Sequence, residues 1–182
     1  MRVLWIILSL AASGAVAQQD ICPPAPDHAA QRAGLMRDLA VSRDATEAGI
    51  IAGFLWQLWT DAPDAQAQEW LDEGMERRRV FDLTGSRAVL DALVDYCPDY
   101  AEGWNQRAFS AFLAQDYAAA LADLDRALAL MPDHVAALSG KALTLIGLGR
   151  DAEAQEVLRA ALRLNPWLAE RALLRDPPGQ DI

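Results

Sequence analysis

The chain of 182 residues has only two histidines and two cysteines, and this scarcity argues against several classes of enzyme. Structural zinc sites need closely spaced nitrogen or sulfur ligands, whereas His28, His134, Cys22 and Cys97 stand singly along the chain. A thiol nucleophile needs a neighbouring base, and neither histidine belongs to a motif, so a thiol enzyme is a weak alternative. Phosphate-binding glycine loops, nucleophile elbows and paired-carboxylate motifs are missing too. We therefore predict no catalytic, cofactor-binding or metal-binding residues.

Long apolar runs are also missing after the first residues. Arg2 precedes an apolar stretch over residues 3–12, and Ala15 and Ala17 form a small-x-small cleavage pattern before Gln18. The stretch is shorter than the roughly 20 residues that a membrane span requires. Residues 1–17 are therefore predicted to be a secretory signal peptide, with a buried first helix as the alternative. The mature chain is predicted to have no membrane span and to be exported, with the periplasm as the expected compartment.

Positive charge is in short supply. The chain has 16 lysines and arginines against 26 aspartates and glutamates, which gives a formal net charge of −10. A strongly acidic protein repels phosphate backbones, so nucleic acid is excluded as an expected partner. Charge alone does not identify the right partner.

The two cysteines suggest a disulfide if the chain is exported. Disulfides persist in oxidising compartments, and Cys22–Cys97 is the simplest pairing. Such a bridge would tie the N-terminal arm, residues 18–28, to the body of the protein. The arm contains Pro23, Pro24 and Pro26, which predict an extended segment.

Clear β-strand runs are missing and alanine is abundant, so the sequence predicts an all-α fold. Pro98, Pro132 and Pro166 follow one another at intervals of 34 residues. Other positions keep their size and polarity at the same interval. The matching columns are Trp70, Trp104 and Leu138; Gly74, Ala108 and Ala142; Ser86, Ala120 and Ala154; Leu90, Leu124 and Leu158; Leu93, Ala127 and Ala161; and Tyr96, Leu130 and Leu164. Such self-similarity is the signature of a repeat protein.

Within residues 101–134 the apolar residues fall on one face of each of two helices. The two stripes are Trp104, Ala108, Ala111 and Phe112, and Ala120, Leu121, Leu124, Ala127 and Leu128. Small residues let the two backbones approach, and the tryptophan is predicted to be buried around that contact. Asp116 is predicted to cap the second helix, and Pro132 ends it because proline breaks the hydrogen-bond ladder. Asp99 and Asp133, which follow prolines, are predicted to cap the first helix of the next repeat.

These columns resemble the tetratricopeptide-repeat (TPR) family, whose motif is a 34-residue helix-turn-helix with small residues at helix contacts and a closing proline. The resemblance is strong over residues 101–134 and 135–168 and weaker over 67–98, where Leu93 is larger than the expected small residue and Arg77 replaces an apolar one. It implies a short right-handed solenoid with terminal capping helices. Residues 167–176 are predicted to form the C-terminal capping helix, and residues 177–182 a loose tail.

Residues 29–66 are predicted to form two helices, over 29–42 and 45–61. They are interpreted either as a capping hairpin that buries the open face of repeat 67–98 or as a degenerate repeat. In both readings Trp56 and Trp59 are predicted to pack in the core and not to contact a ligand.

The resemblance also implies a concave groove, lined by the first helix of each repeat, in which family members bind an extended peptide or a partner helix. The predicted groove residues are Met75, Arg78, Arg79, Glu102, Asn105, Phe109, Phe112, Ser139, Leu143 and Ile146, with Gln68, Leu71 and Leu113 beside them. Asn105 is expected to bind a peptide backbone, and Phe109 and Leu143 to act as apolar anchors. The basic run 77–79 is interpreted as a receptor for acidic groups or as a solvated helix face, and Phe109 alternatively as an intramolecular contact.

Three functions follow from this reading. A non-enzymatic protein-protein interaction adaptor is favoured. A structural self-assembly module, with the groove filled by the chain itself or by another copy, is the alternative, and it leaves a homo-oligomer open. An enzyme is the third and weakest, since fold does not fix function but no catalytic motif stands out.

Overall fold

The computed structural model describes residues 21–175, which form eight α-helices and one short 3-10 helix. The predicted signal peptide, the first residues of the arm and the predicted tail lie outside the described residues. The elements are α1 (Ala29–Ala40), α2 (Ala45–Trp59), α3 (Ala65–Arg79), α4 (Leu83–Tyr96), α5 (Ala101–Leu113), α6 (Tyr117–Leu130), α7 (Val135–Gly147), α8 (Asp151–Leu164) and the 3-10 helix Ala169–Leu173. Residues 21–175 contain no β-strand, which confirms the all-α prediction, and none of their helices is long and apolar enough to cross a membrane.

The helices recur at the interval of the prolines. Helices α4, α6 and α8 begin 34 residues apart, at Leu83, Tyr117 and Asp151, and α5 and α7 begin 34 residues apart, at Ala101 and Val135. The helices pack as the pairs α3–α4, α5–α6 and α7–α8, and α3 also contacts α5, which in turn contacts α7. The result is a helical repeat solenoid, as predicted. We call the side lined by α3, α5 and α7 the concave face.

The turn inside each pair has the same backbone conformation. Phe81, Gln115 and Gly149 occupy equivalent positions, and their φ angles are 64°, 60° and 71°. The left-handed region is free of steric cost only for glycine, so the first two residues hold a strained conformation. The packing of the repeats therefore holds two of the three turn residues, Phe81 and Gln115, in a backbone conformation that their own side chains disfavour.

Helix capping follows the predictions only in part. Asp116 caps α6 as predicted, since its carboxylate accepts a hydrogen bond of 3.3 Å from a backbone N–H of the first turn. The prediction that Asp99 and Asp133 cap α5 and α7 is wrong, because each lies one residue too early. The N-cap positions belong to Tyr100 and His134, and only the histidine side chain accepts a first-turn N–H.

The helices of a pair approach closely where small residues face leucines. Ala108 and Ala127 are completely buried beside Leu124. In the first pair Gly74 lies so close to Leu90 that a methyl group added to the glycine would come within 2.6 Å of the leucine Cγ. The small-residue columns of the sequence are therefore the backbone contacts of the fold.

Trp104 is only partly buried, so the prediction of a buried tryptophan is wrong. Its ring packs against the buried cluster around Leu124, while its Nε1 donates a hydrogen bond of 3.0 Å to the Pro98 carbonyl. The guanidinium of Arg107 lies 4.8 Å from the ring centroid on the outer side. The tryptophan thus separates the core from a charged surface, and an indole with a polar N–H suits that position.

The α1–α2 hairpin, residues 29–59, lies elsewhere than predicted. It does not stack on the open face of the first pair; instead, α1 packs against α8, and hairpin residues share a buried cluster with Val135 at the start of α7. Trp167 Nε1 donates a hydrogen bond of 2.9 Å to the Ser42 carbonyl, and Arg32 pairs with Asp133 at 3.6 Å. The hairpin therefore lies along the turns between repeats.

The end of α2 is held by aromatic and polar contacts to the repeats. The Trp59 ring stacks on the His134 ring with centroids 4.2 Å apart, and Tyr100 Oη donates a hydrogen bond of 2.7 Å to the Trp59 carbonyl. Trp59 is buried, as predicted, although its indole N–H has no hydrogen-bond partner among the described residues. These contacts join residues far apart in sequence, which is why the local pattern does not reveal them.

The C-terminal cap is a 3-10 helix, Ala169–Leu173, which is shorter than the capping helix predicted over residues 167–176. Gln155 of α8 holds it, since its Nε2 donates to the Leu173 carbonyl at 3.0 Å and its Oε1 accepts from the Arg175 N–H at 2.7 Å. A segment this short cannot offset the cost of an α-helical nucleus, and Pro177 follows two residues after Arg175.

The two cysteines form a disulfide between Cys22 and Cys97, with the Cα atoms 5.2 Å apart. The bridge joins the Pro-rich arm to the C-cap of α4, and Cys97 lies in the buried core of the first pair. The hairpin is thus attached to the repeats at both ends, through the disulfide and through the connection to α3.

Candidate functional site

The concave face contains a cavity of about 340 Å³ between α5, α7 and the edge of α2. Its walls are mostly apolar, and two aromatic side chains, Trp56 and Phe109, are 41% and 48% exposed. The lining residues are Trp56, Arg78, Asn105, Gln106, Ala108, Phe109, Phe112, Leu124, Ala136, Ser139, Gly140, Leu143, Thr144, Leu168 and Glu170. Partly exposed aromatics around a concavity form a surface that an apolar group of a ligand can cover.

The cavity brings together six of the ten predicted groove residues. Those six are Arg78, Asn105, Phe109, Phe112, Ser139 and Leu143. The other four, Met75, Arg79, Glu102 and Ile146, do not line it. Met75 packs beside the core of the first pair, and Glu102 is buried inside the fold. The prediction that these residues form a partner site stays a prediction.

Arg78 is the one basic side chain among the lining residues. Its Nη2 donates to Gln106 Oε1 at 2.6 Å, its Nη1 donates to the Gln106 carbonyl at 3.2 Å, and its guanidinium lies 4.6 Å from the Phe109 ring centroid. Burial lowers the pKa of Arg78, while the charge of Glu102 acts in the opposite direction. Within residues 21–175, the hydrogen bonds of Arg78 go to neutral acceptors only, those of Gln106 and Ser110.

The other two arginines of the basic run form ion pairs with acids of nearby turns. Arg77 pairs with Glu73 at 2.6 Å and with Asp82 at 3.0 Å, and Arg79 pairs with Glu76 at 2.6 Å. These carboxylates raise the pKa values of Arg77 and Arg79. The run is therefore not one basic patch, since only Arg78 is directed to the concave cavity.

A buried polar network lies behind the cavity. His134 and Glu102 are 0% and 2% exposed, and His134 Nε2 lies 2.7 Å from Glu102 Oε2. His134 Nδ1 accepts a backbone N–H of α7, so Nε2 carries the proton that is donated to the carboxylate. Asn105 and Gln106 also donate to Glu102. The network links the cavity residues Asn105 and Gln106 to the histidine on which the hairpin stacks.

Sequence reasoning missed two parts of the site. Trp56 is assigned to packing from its helical spacing, yet it lines the cavity. Leu168 and Glu170 come from the segment after α8, which the sequence presents only as a cap. No local signal identifies either contribution, because both depend on how the ends of the chain fold back. Residues 21–175 contain no cluster of His, Cys, Asp and Glu suited to hold a metal ion.

Comparison with known proteins agrees with the repeat architecture. A family model described as tetratricopeptide repeat matches residues 111–175. A TPR repeat-containing protein of Rhizobium etli is 32% identical over 120 residues, which cover 64% of this chain. The match covers 57% of that relative, so the chain spans little more than half of its length.

Solved structures of tandem helical repeats are similar in fold. The TPR2B domain of yeast Sti1, in a complex described with pHsp70, has a TM-score of 0.56 and 24% identity, covering 60% of this chain and 90% of that chain. The first TPR of Spaghetti (RPAP3), bound to the HSP90 peptide SRMEEVD, has a TM-score of 0.58 and 20% identity, covering 59% and 86%. At these identities the similarity establishes the fold alone.

Proposed function

We propose that this chain, which belongs to the tetratricopeptide-repeat family, is a non-catalytic adaptor that binds a peptide segment of a partner protein in its concave cavity. The observation that carries the proposal is the exposure of Phe109 and Trp56 at the rim of an apolar cavity. An exposed aromatic on a concave surface is the residue type that most often anchors a protein interface.

The polar side chains of the cavity suit a peptide ligand. Asn105 and Ser139 are mostly buried in the walls. The Asn105 amide nitrogen already donates to Glu102, so the Asn105 amide oxygen and the Ser139 hydroxyl are the groups left to bond a peptide backbone. Arg78 supplies a cation at the same surface. The first TPR of Spaghetti (RPAP3) is bound to an HSP90 peptide and the second TPR domain of human RPAP3 is in complex with an HSP70 peptide, and this supports a peptide as the class of ligand.

Self-assembly is the second candidate, and one observation favours a form of it. The α1–α2 hairpin already covers one edge of the concave face with the protein's own chain, as shown by the packing of Trp59 on His134. The open part of the cavity is the surface that a second copy would have to use. Light scattering at several protein concentrations tests this candidate, because a concentration-independent dimer or larger assembly would favour self-assembly.

Export is part of the proposal. The apolar run and small-x-small pattern of residues 2–17 support a cleaved signal peptide, and the Cys22–Cys97 disulfide suits an oxidising compartment such as the periplasm. N-terminal sequencing of protein recovered from the periplasm checks this, with Gln18 as the expected first residue. A protein that starts at Met1 and stays with the cytoplasm contradicts it.

The decisive experiment is a peptide selection followed by affinity measurements. A random peptide library on phage is selected against the purified protein, and enriched peptides are synthesised and titrated by fluorescence anisotropy. Phe109→Ala is expected to weaken binding roughly thirtyfold, the effect of losing a hot-spot aromatic. Phe54→Ala is the matched control, because Phe54 is 50% exposed and does not line the cavity. Failure to enrich any peptide, or equal affinities for wild type and Phe109→Ala, would refute the proposal.

A further inference from the structure

We propose that the α1–α2 hairpin forms one wall of the binding site, and that the site selects a short segment with a large apolar side chain next to an Asp or Glu. The apolar side chain packs between Trp56 and Phe109, and the carboxylate binds Arg78. This inference rests on the proposed function and extends it, since it names the chemistry of the bound segment and a second element that recognises it.

The hairpin is fixed in position beside the cavity. The Trp59–His134 stack and the Tyr100 hydrogen bond hold the end of α2, only one helical turn from Trp56. Trp56 therefore presents its half-exposed ring on a rigid element, with little ordering cost when a ligand binds. A wall preorganised in this way contributes to selectivity as well as to contact area.

The volume of the cavity limits the size of the group that it can hold. Pockets for small ligands span about 300–1,000 Å³, and the cavity of about 340 Å³ lies at the lower end of that range. Trp56 bounds it on the hairpin side, and Leu168 and Glu170 of the C-terminal segment bound it further. The space suits one large side chain with its flanking backbone.

The charge of Arg78 favours an acidic group in the ligand. Arg78 uses three hydrogen bonds on the neutral acceptors of Gln106 and Ser110, which leaves part of the guanidinium's set of five N–H donors unused. The carboxylate of Glu102 reaches Arg78 only through the Gln106 amide. A ligand carboxylate would give this cation a direct charged partner, in a chain whose overall charge of −10 otherwise repels acidic ligands. Arg78 is therefore the residue that binds an acidic side chain of the ligand.

The test uses the selected peptides with both ends blocked, so that only side-chain carboxylates are present. We expect enriched sequences to share a large apolar residue beside Asp or Glu. Replacing that acid by its amide is expected to weaken binding about tenfold, the effect of losing a charge-assisted hydrogen bond. Trp56→Ala is expected to weaken binding by a similar factor, whereas the neighbouring control Phe54→Ala leaves it unchanged.

A double-mutant cycle distinguishes recognition from damage to the fold. Arg78→Gln is expected to weaken binding of the acidic peptide about tenfold but to leave the amide peptide nearly unaffected. Equal losses for both peptides would overturn the assignment of the carboxylate to Arg78. Binding that needs a free C-terminus would overturn the choice of a side-chain acid. If peptides bind through Phe109 but not through Trp56 or Arg78, the inference fails while the proposed function stands; if none bind, both fail.

Discussion

Reduction of the Cys22–Cys97 disulfide gives the most quantitative test of how the N-terminal hairpin is held. The bridged residues are separated by 75 positions in the sequence, and the enclosed segment contains α1 to α4. In the chain-entropy account, a loop of this length is worth about 4.5 kcal/mol, because the bridge restricts the unfolded chain. The value is the expected loss in the free energy of unfolding when the bridge is opened.

Thermal and urea unfolding in the presence and absence of a phosphine reductant measure that loss. For a chain of this size each 1 kcal/mol shifts the midpoint temperature by about 2–4 °C, so the expected drop is about 9–18 °C. The double variant Cys22→Ala, Cys97→Ala is the control. Its midpoint temperature should equal that of the reduced wild type and should not change when the reductant is added. A wild-type midpoint that does not respond to reduction would refute the reasoning, as would two free thiols in a non-reducing mass spectrum.

Three further predictions follow from the fold. His134→Ala removes one of the donors to the buried Glu102 carboxylate; we expect a loss of about 1.5–3 kcal/mol in urea unfolding, and a loss below 1 kcal/mol would contradict the network. Phe81→Gly relieves a left-handed backbone and should stabilise the protein by about 1 kcal/mol, whereas Gly149→Ala should destabilise it; melting temperatures check both signs. The hydrogen bond from the Gly85 N–H, and then Arg77, lower the pKa of Asp82 in the folded protein. The stabilisation by Asp82 is therefore present above the unfolded pKa of about 3.9 and is lost as the pH falls through the lower folded pKa. The difference in unfolding free energy between wild type and Asp82→Ala should become smaller below that pH, and a larger difference would contradict the cap.

The repeat architecture was predictable because it depends on residues that recur at a fixed interval in the sequence. Pro98, Pro132 and Pro166 set the interval, and the small residues that face Leu124 mark the helix contacts. Each repeat mainly contacts its neighbours, so periodicity in sequence maps directly onto periodicity in space. The disulfide pairing was predictable without geometry, since two cysteines allow only one pairing within the chain.

The chain ends were not predictable, because their contacts join distant residues. The hydrogen bond between Trp167 and Ser42 connects residues 125 positions apart, and nothing near either residue indicates it. The placement of the hairpin decides which face Trp56 occupies, so the sequence assigns that residue to packing. Glu102 is the converse case: the family resemblance places it among the groove residues, but the structure buries its side chain against His134.

The central claim, that a partner segment lies between the hairpin and the concave helices, is tested most directly by nuclear magnetic resonance. Each indole N–H gives a separate signal, and a selected peptide is titrated into ¹⁵N-labelled protein, with Trp56→Phe used to assign the Trp56 signal. We expect the Trp56 indole and the backbone amides of Phe109 and Leu143 to shift. The Trp70 indole, which lies at the α3–α4 pair beside Tyr96, should stay in place. Shifts at Trp70 with none at Trp56 would contradict the account and place the partner on another face.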